Sequence, residues 1–525
     1  MRLEYIIELE GGFRLGGSED FSGSCLRLHP TLPVGRIKSV TARMNISMSE
    51  DERFFVNGYQ TWTYCPEQGK HDYTRGMGRL PRFVIDKFGI DRYGDYFFVD
   101  YPQTPGVMHG ESYCYFRRGG RYRLLASLDE RPGYTLLRYD SRCGVLTVTR
   151  DCAGLCCGGE FAALELYYAE GSENEVFDGW FAAMGLKNRG AARLCGYSSW
   201  YNRYQNIDEK SIMGDLRGCA EHMKRGDLFQ IDDGWETAVG DWLRPDEEKF
   251  PGGLEPIVSD IHERGFLAGL WLAPFVCQKN SRIFREHPDW LLMHEGKPWY
   301  CGSNWGGFYA LDIDNPGFRC YLEDVFDRVL NVWGFELVKL DFLYAAAPFG
   351  NEHESRAGRM TRAMELLRRL CGDKLILGCG VPLMPSFGLV DYCRISCDVG
   401  LDWANNFIMR RTNREYVSTR HAIGNTVSRR QLNGRAFGND PDVFFLREKN
   451  IRLSRDEKYR LAVVNSLFGA LLLTSDNMGE YGEEAAELYE RLRELDRAEN
   501  VRIETEKGLT VYYELDGIEQ VLEIE

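Results

Sequence analysis

Leu228-Phe-Gln-Ile-Asp-Asp-Gly-Trp235 is an apolar run that stops abruptly at two carboxylates and a glycine. A run this short, with no polar alternation, fits a strand buried on both faces. The same design recurs on either side of it. Leu194-Cys-Gly-Tyr197 precedes it, and Leu267-Ala-Gly-Leu-Trp-Leu272, Leu337-Val-Lys-Leu340, Leu375-Ile-Leu-Gly378 and Tyr392-Cys-Arg-Ile395 come after. A weaker run near Ala436-Phe437 and a last one at Leu471-Leu-Leu-Thr474 bring the number to eight. Helical signals separate them. Asn315-Pro316 reads as an N-cap and first-turn pair, followed by an apolar stripe over Leu322, Val325, Phe326, Val329 and Leu330 that ends at Gly334. Ser454 with Glu457 reads as a capping box. Eight buried strands alternating with helices predict a (β/α)8 barrel over residues 190–480. An open doubly wound sheet is the alternative, but it usually places a glycine-rich phosphate turn after its first strand. Here that turn is Ser198-Ser199-Trp200-Tyr201.

Outward from the barrel the pattern changes. Residues 1–172 carry short alternating segments such as Tyr134–Tyr139, Val145–Arg150 and Ala163–Tyr168, broken by Gly, Pro and Asn. They predict an antiparallel β-sandwich. Ser172 and Glu175 open a linking helix over 173–189. Residues 481–525 read as an amphipathic helix and a small antiparallel sheet, with turns at Lys507-Gly508 and Asp516-Gly517. This meander is too short to stand alone and is expected to pack on the barrel.

Composition narrows the chemistry. The 525 residues carry 64 basic and 79 acidic side chains, a formal charge of −15, which disfavours nucleic acid and anionic membrane surfaces as partners. No apolar stretch is long enough to span a bilayer. Met1-Arg-Leu-Glu-Tyr does not read as a signal peptide, so the sixteen cysteines are expected to be thiols in a cytoplasmic protein. There is no paired CxxC, HExxH, P-loop, GxGxxG or GxSxG, and no cofactor is expected. Aromatics make up 13% of the chain, most of them expected in the core. Some of the tryptophans are candidates for stacking on sugar rings.

The ends of barrel strands build active sites in this architecture. At or just beyond the ends of these runs stand Asp232 and Asp233, then Trp271, Lys339 with Asp341, Cys379, and Arg394 with Asp398. One aspartate at a strand end is commonly a helix cap. Carboxylates at several strand ends are harder to reach by capping alone. Two carboxylates flanking one bond are what glycoside hydrolysis requires. Asp341 is the candidate nucleophile, because Lys339 lies two residues earlier on the same face and its charge favours an ionised carboxylate. Asp398 is the candidate acid/base. Asp232 and Asp233 would accept hydrogen bonds from sugar hydroxyls and Arg394 would donate one. Mg²⁺ or Ca²⁺ at Asp232-Asp233 is the rival reading, opposed by the charges of Lys339 and Arg394 on the same rim.

At these residues the chain resembles the family 36 glycoside hydrolases, the microbial and plant α-galactosidases, and by its length their shorter bacterial branch. The matching segments are Gly196-Tyr-Ser-Ser-Trp-Tyr201, Ile231-Asp-Asp-Gly-Trp235, Gly240-Asp-Trp242, Ala268-Gly-Leu-Trp-Leu-Ala-Pro-Phe275, Leu337-Val-Lys-Leu-Asp-Phe-Leu343, Arg394-Ile-Ser-Cys-Asp398 and Asn439-Asp-Pro-Asp442. They run in order over about 250 residues; each is weak alone, and their order makes them strong together. The resemblance implies a sandwich, a barrel and a small C-terminal sheet. It implies Asp341 as nucleophile and Asp398 as acid/base, with Asp232, Asp233, Lys339, Cys379 and Arg394 touching galactose. Trp200, Tyr201 and Trp271 would shape the pocket, and Trp62 of Asn57-Gly-Tyr-Gln-Thr-Trp62 would reach it from the sandwich. For Trp62 the competing reading is a residue of the sandwich core. Where larger members carry Lys-Trp-Asp, this chain has Lys339-Leu340-Asp341. The activity implied is retaining, exo-acting hydrolysis of terminal α-galactose from short oligosaccharides. α-N-acetylgalactosaminidase or galactosyl transferase activity is the alternative within the family, and a non-catalytic carbohydrate-binding barrel the alternative outside it. Monomer and homo-oligomer both stay open.

Overall fold

The computed structural model of the chain describes residues 1–78, 80–404, 412–505 and 508–524. Its centre is a parallel eight-stranded sheet curled into a barrel. The strands are Leu194–Ser198, Leu228–Ile231, Leu267–Leu272, Leu337–Leu340, Leu375–Gly378, Tyr392–Arg394, Gly438–Asp440 and Leu471–Thr474. The strands neighbour one another in unbroken chain order and the eighth returns to pair the first, whereas a doubly wound sheet reverses its order at the first strand. Seventh and eighth meet through the Ala470 N–H on the Asn439 carbonyl (2.8 Å) and the Phe444 N–H on the Leu473 carbonyl (3.0 Å), so the circle is nearly closed. The seventh strand begins directly after the apolar pair Ala436-Phe437 that suggested it, and it is polar.

Local chemistry accounts for the helices between the strands. The Asn315 side chain accepts the N–H groups of Gly317 and Phe318, and Pro316 starts the helix Pro316–Asp327. Reciprocal capping boxes open Glu173–Ala183 at Ser172 and Arg455–Phe468 at Ser454, each satisfying amides that would otherwise lack partners. Among the described residues no helix is long and apolar enough to cross a membrane.

The N-terminal region packs a seven-stranded antiparallel sheet on a five-stranded one. Leu3, Ile7, Ile37, Val40, Phe54, Phe116, Leu125, Tyr139 and Val148 fill the space between them. The outer sheet alternates as expected: Val145–Arg150 buries every second residue. The inner sheet does not, because both of its faces are covered. Tyr113 and Tyr115 turn away from the sandwich core toward Phe177 and Trp180 of the linking helix and join the barrel's apolar cluster. At the other end, the helix Glu483–Glu494 and the strands Glu499–Glu504, Thr510–Leu515 and Ile518–Glu523 lie on the barrel, anchored by Val511, Tyr513, Leu522 and Ile524. Asp516 and Gly517 both have positive φ, as a two-residue hairpin turn requires. Lys507, of the other expected turn, lies outside the described residues.

Candidate active site

Strand register assembles the site. In the parallel ladder Trp271 is opposite Lys339, and Lys339 opposite Leu377. Side chains at matched positions share a face, so Trp271, Lys339 and, two residues on, Asp341 and Cys379 project into the barrel at its C-terminal rim. Ser198 is matched to Gln230, which places Asp232 one step above on the same interior face. Arg394 is matched to Asp440.

Asp341 is buried at 7% exposure. Its Oδ2 accepts the indole N–H of Trp271 (3.1 Å) and its Oδ1 accepts the N–H of Phe342 (2.8 Å). Burial pushes its pKa up, and nearby Asp398 adds to this. Lys339 and hydrogen bonds from Cys379 and Trp271 pull in the other direction. The direct partner of Lys339 is not Asp341. Its Nζ sits 2.8 Å from Asp232 Oδ2, both groups being buried, so its influence on Asp341 acts across the rim. Asp232 Oδ2 also accepts from the Gln230 amide (2.8 Å).

Asp398 is more open, its side chain 38% exposed. Its Oδ1 is 2.8 Å from Arg394 Nη1. Arg394 is itself buried, with Nε on Asp440 (2.9 Å) and Nη2 on Asp442 (3.0 Å). Three carboxylates therefore occupy the guanidinium expected to face the sugar. Asp442 is pushed up to about 6 by burial, with Arg394 opposing and Asp398 and Asp440 adding to the rise. It accepts from the Tyr201 hydroxyl (2.5 Å) and the Val399 N–H (2.8 Å). Tyr201 thus braces the segment that carries Asp398. Trp200 is only partly buried, edge-on to Tyr204.

Asp233 Oδ2 accepts from Gln205 (2.8 Å) and from the indole of Trp305 (2.9 Å). Its other neighbour is the buried carboxyl of Glu236. Trp62 has left the sandwich. Its Nε1 points at Cys379 Sγ (3.4 Å) and its ring packs edge-on against Phe342 and Tyr344, within the barrel's cluster and outside that of the sandwich. The approach is close enough to require glycine at 380, where φ is +57° and a Cβ would stand 2.9 Å from the Trp62 ring and 3.0 Å from the Phe342 nitrogen. Arg429, fully buried, ties the loop down by donating to the carbonyls of Thr61 (2.6 Å), Gln60 (3.3 Å) and Ile395 (2.8 Å) and to Asn57 Oδ1 (3.1 Å).

Glu236, Gln205, Trp305, Asp440, Asp442 and Arg429 carry no role that the sequence alone assigns. Asp440 and Asp442 stand in the motif Asn439-Asp-Pro-Asp442; Trp305 and Gln205 come from loops without periodicity. Backbone strain marks three residues of the site: Trp305, Phe342 and Asp442 are non-glycine residues at φ +52°, +53° and +74°. The left-handed turn at Phe342 aims its N–H back at Asp341. Among the described residues no group of three His, Cys, Asp or Glu side chains is arranged to hold a metal ion.

Comparison with known proteins places this arrangement in context. A melibiase family model matches residues 195–367, the first half of the barrel. Among curated proteins, a probable alpha-galactosidase C of Aspergillus flavus is 30% identical over 203 residues, covering 35% of this chain and 26% of that protein. An alpha-galactosidase of Escherichia coli is 32% identical over 183 residues, covering 33% and 25%. The match thus spans about a quarter of the length of these relatives. Among solved structures, an alpha-galactosidase from Thermus thermophilus in complex with p-nitrophenyl alpha-D-galactopyranoside superposes with a TM-score of 0.74 at 27% identity, covering 95% of this chain and 98% of that one. The same protein is also known in complex with stachyose. The resemblance to family 36 read from the motifs therefore holds across sandwich, barrel and C-terminal sheet.

Proposed function

We propose that this protein is a retaining, exo-acting α-galactosidase that releases terminal α-linked galactose from short oligosaccharides by double displacement. One observation carries the reading. Two carboxylates of unlike surroundings, the buried Asp341 and the more open Asp398, share one barrel rim and act on each other electrostatically. Environments that separate two acids in this way assign them different tasks. Asp341 attacks the anomeric carbon and forms a galactosyl ester while Asp398 gives its proton to the leaving oxygen. Asp398 then takes a proton from water, which hydrolyses the ester. A negative Asp398 raises the pKa of Asp341, so the two acids are coupled across the rim, and the first step requires the shared proton to lie on Asp398. The N–H groups of Trp271 and Phe342 hold both oxygens of Asp341 and fix the attacking geometry. Asp232, Asp233, Lys339 and Cys379 line the sugar's side of the rim, with Trp62, Trp200 and Tyr201 around it. All sixteen cysteines are free thiols, which supports work in a reducing compartment, the cytoplasm. The test is release of aryl alcohol from an aryl α-galactoside and an aryl α-N-acetylgalactosaminide, each with and without EDTA. Turnover of the first, indifferent to EDTA, is expected. No release from either substrate would leave a binding protein, and loss with EDTA would return Asp232-Asp233 to a metal role.

A further inference from the structure

Asp233 has one oxygen with two donors and one with none. Oδ2 takes the Gln205 amide and the Trp305 indole, whereas among the described residues no N–H or hydroxyl reaches Oδ1, although it is buried. A buried carboxylate oxygen without a donor costs its full desolvation, so its surroundings need a reason. Beside it stands Glu236, itself 6% exposed, its carboxyl in hydrogen-bond contact with the carboxyl of Asp233. The Gly234 N–H fixes one oxygen of Glu236, Oε2, at 3.2 Å. Two ionised carboxylates cannot rest together in a dry site, and a single proton between them removes both the repulsion and the missing donor.

We propose that Glu236 is the hydrogen-bond donor to Asp233 and, through it, a positioning residue for the sugar hydroxyl that Asp233 accepts. A carboxylate offers about four acceptor positions. Gln205, Trp305 and Glu236 fill three and hold the group rigid. The charged groups around the pair agree with this placement of the proton. Asp232 lies beside Asp233 with its charge met by Lys339, and Lys249 is turned to the Gly234 and Gln205 carbonyls (2.9 and 3.1 Å), while Asp246 caps the following turn by accepting the Glu248 N–H. No cation sits on Glu236 among the described residues. Burial and the neighbouring Asp233 push its pKa well up, in the direction that keeps it protonated at neutral pH. The inference rests on the glycosidase reading for the identity of the ligand, but not for the proton.

The test compares wild type, Glu236→Gln and Glu236→Ala on an aryl α-galactoside across pH. A glutamine can accept from Gly234 and donate to Asp233 but cannot ionise. Wild-type KM is expected to rise on the alkaline side as the proton is lost. E236Q should keep a neutral-pH KM within about threefold of wild type and lose that rise, whereas E236A should raise KM by about tenfold or more, with kcat changed far less. Equal damage in E236Q and E236A, or an alkaline rise that persists in E236Q, would overturn the proposal. Difference infrared spectroscopy reads the proton without turnover. The wild-type-minus-E236Q difference spectrum at neutral pH should contain a protonated-carboxyl band, the other protonated acids of the chain cancelling, and its absence would also overturn the proposal. Wild type that hydrolyses nothing defeats the glycosidase reading alone, and the band then decides the role of Glu236.

Discussion

Trp271→Phe isolates a single hydrogen bond to the proposed nucleophile. The substitution keeps a flat aromatic ring between Trp242 and Trp305, whose centroids lie 5.9 and 6.0 Å away, and removes the N–H that stands 3.1 Å from Asp341 Oδ2. Oδ1 keeps the Phe342 amide at 2.8 Å, so the carboxylate stays in place but loses a donor to its charged form. A hydrogen bond to a charged group is worth ~1.5–3 kcal/mol, or roughly 10- to 150-fold. If the bond supports the ionised, attacking form, kcat/KM for an aryl α-galactoside should fall by about that factor. The acid limb of its pH profile should also move to higher pH, since loss of a donor adds to the upward push that burial already exerts. A control separates this from simple packing loss. Trp242→Phe removes similar volume against the same ring, but its buried N–H meets no acceptor among the described residues. It should lower thermal stability without moving the limb. An acid limb unmoved in W271F, with kcat/KM within twofold of wild type, would refute the assignment of Trp271 and weaken that of Asp341.

The same geometry sets three further outcomes. Lys339→Met leaves Asp232 Oδ2 buried with only the Gln230 amide and a long contact from Ser198 (3.4 Å), so stability should drop by ~3–5 kcal/mol, and adding Asp232→Leu should recover part of it. Thermal unfolding of K339M indistinguishable from wild type would contradict that account. Gly380→Ala puts a Cβ into the Trp62 ring at a left-handed φ, and should shift tryptophan emission and lower kcat/KM at least several-fold; an unchanged spectrum would mean Trp62 is held less tightly than its contacts imply. Glu130, buried under the Thr135 N–H and Ser112 hydroxyl, is pushed up to about 7 by burial from an ordinary 4.5. A raised carboxyl gives its full stability below 4.5 and loses it as pH rises through 7, a gap of ~3 kcal/mol. Urea midpoints should therefore fall less between pH 5 and 8 in Glu130→Gln than in wild type, and equal slopes would exclude Glu130 as the source.

How much of this was legible depended on what each residue does in the barrel. Strands such as Leu228–Ile231, Leu267–Leu272 and Leu337–Leu340 are apolar on both faces, so hydropathy alone finds their ends to the residue. The seventh strand escapes because its interior position is Asp440, paired with Arg394 across the ladder; a polar strand in a polar layer has no apolar run. Asp341 and Asp398 were visible because strand ends are predictable places. The actual partner of Lys339 was not, since two residues' spacing on one strand gives a shared face and says nothing of the neighbouring strand. Trp305 belongs to the excursion between the third and fourth strands, where small antiparallel ladders replace the barrel's rhythm and no period announces that a side chain returns to the rim.

The charges of the site, taken together, favour one kind of ligand. Asp232, Asp233, Glu236, Asp341, Asp398, Asp440 and Asp442 gather around Lys339 and Arg394, more acids than these two cations can neutralise. Lys339 meets Asp232, and Arg394 is divided among three acids. Such a cluster persists in a buried site only by retaining protons, and Glu236, pushed well up by burial and by Asp233, is where one is held. The negative charge that remains repels phosphorylated or carboxylated sugars and suits a neutral glycoside, whose many hydroxyls supply the donors that the carboxylates lack. It also strengthens as positive charge develops at the anomeric carbon in an oxocarbenium-like transition state, which is the difference between ground state and transition state that a catalyst needs. The excess of acids is therefore more than a sugar-binding surface requires, and the surplus points to turnover.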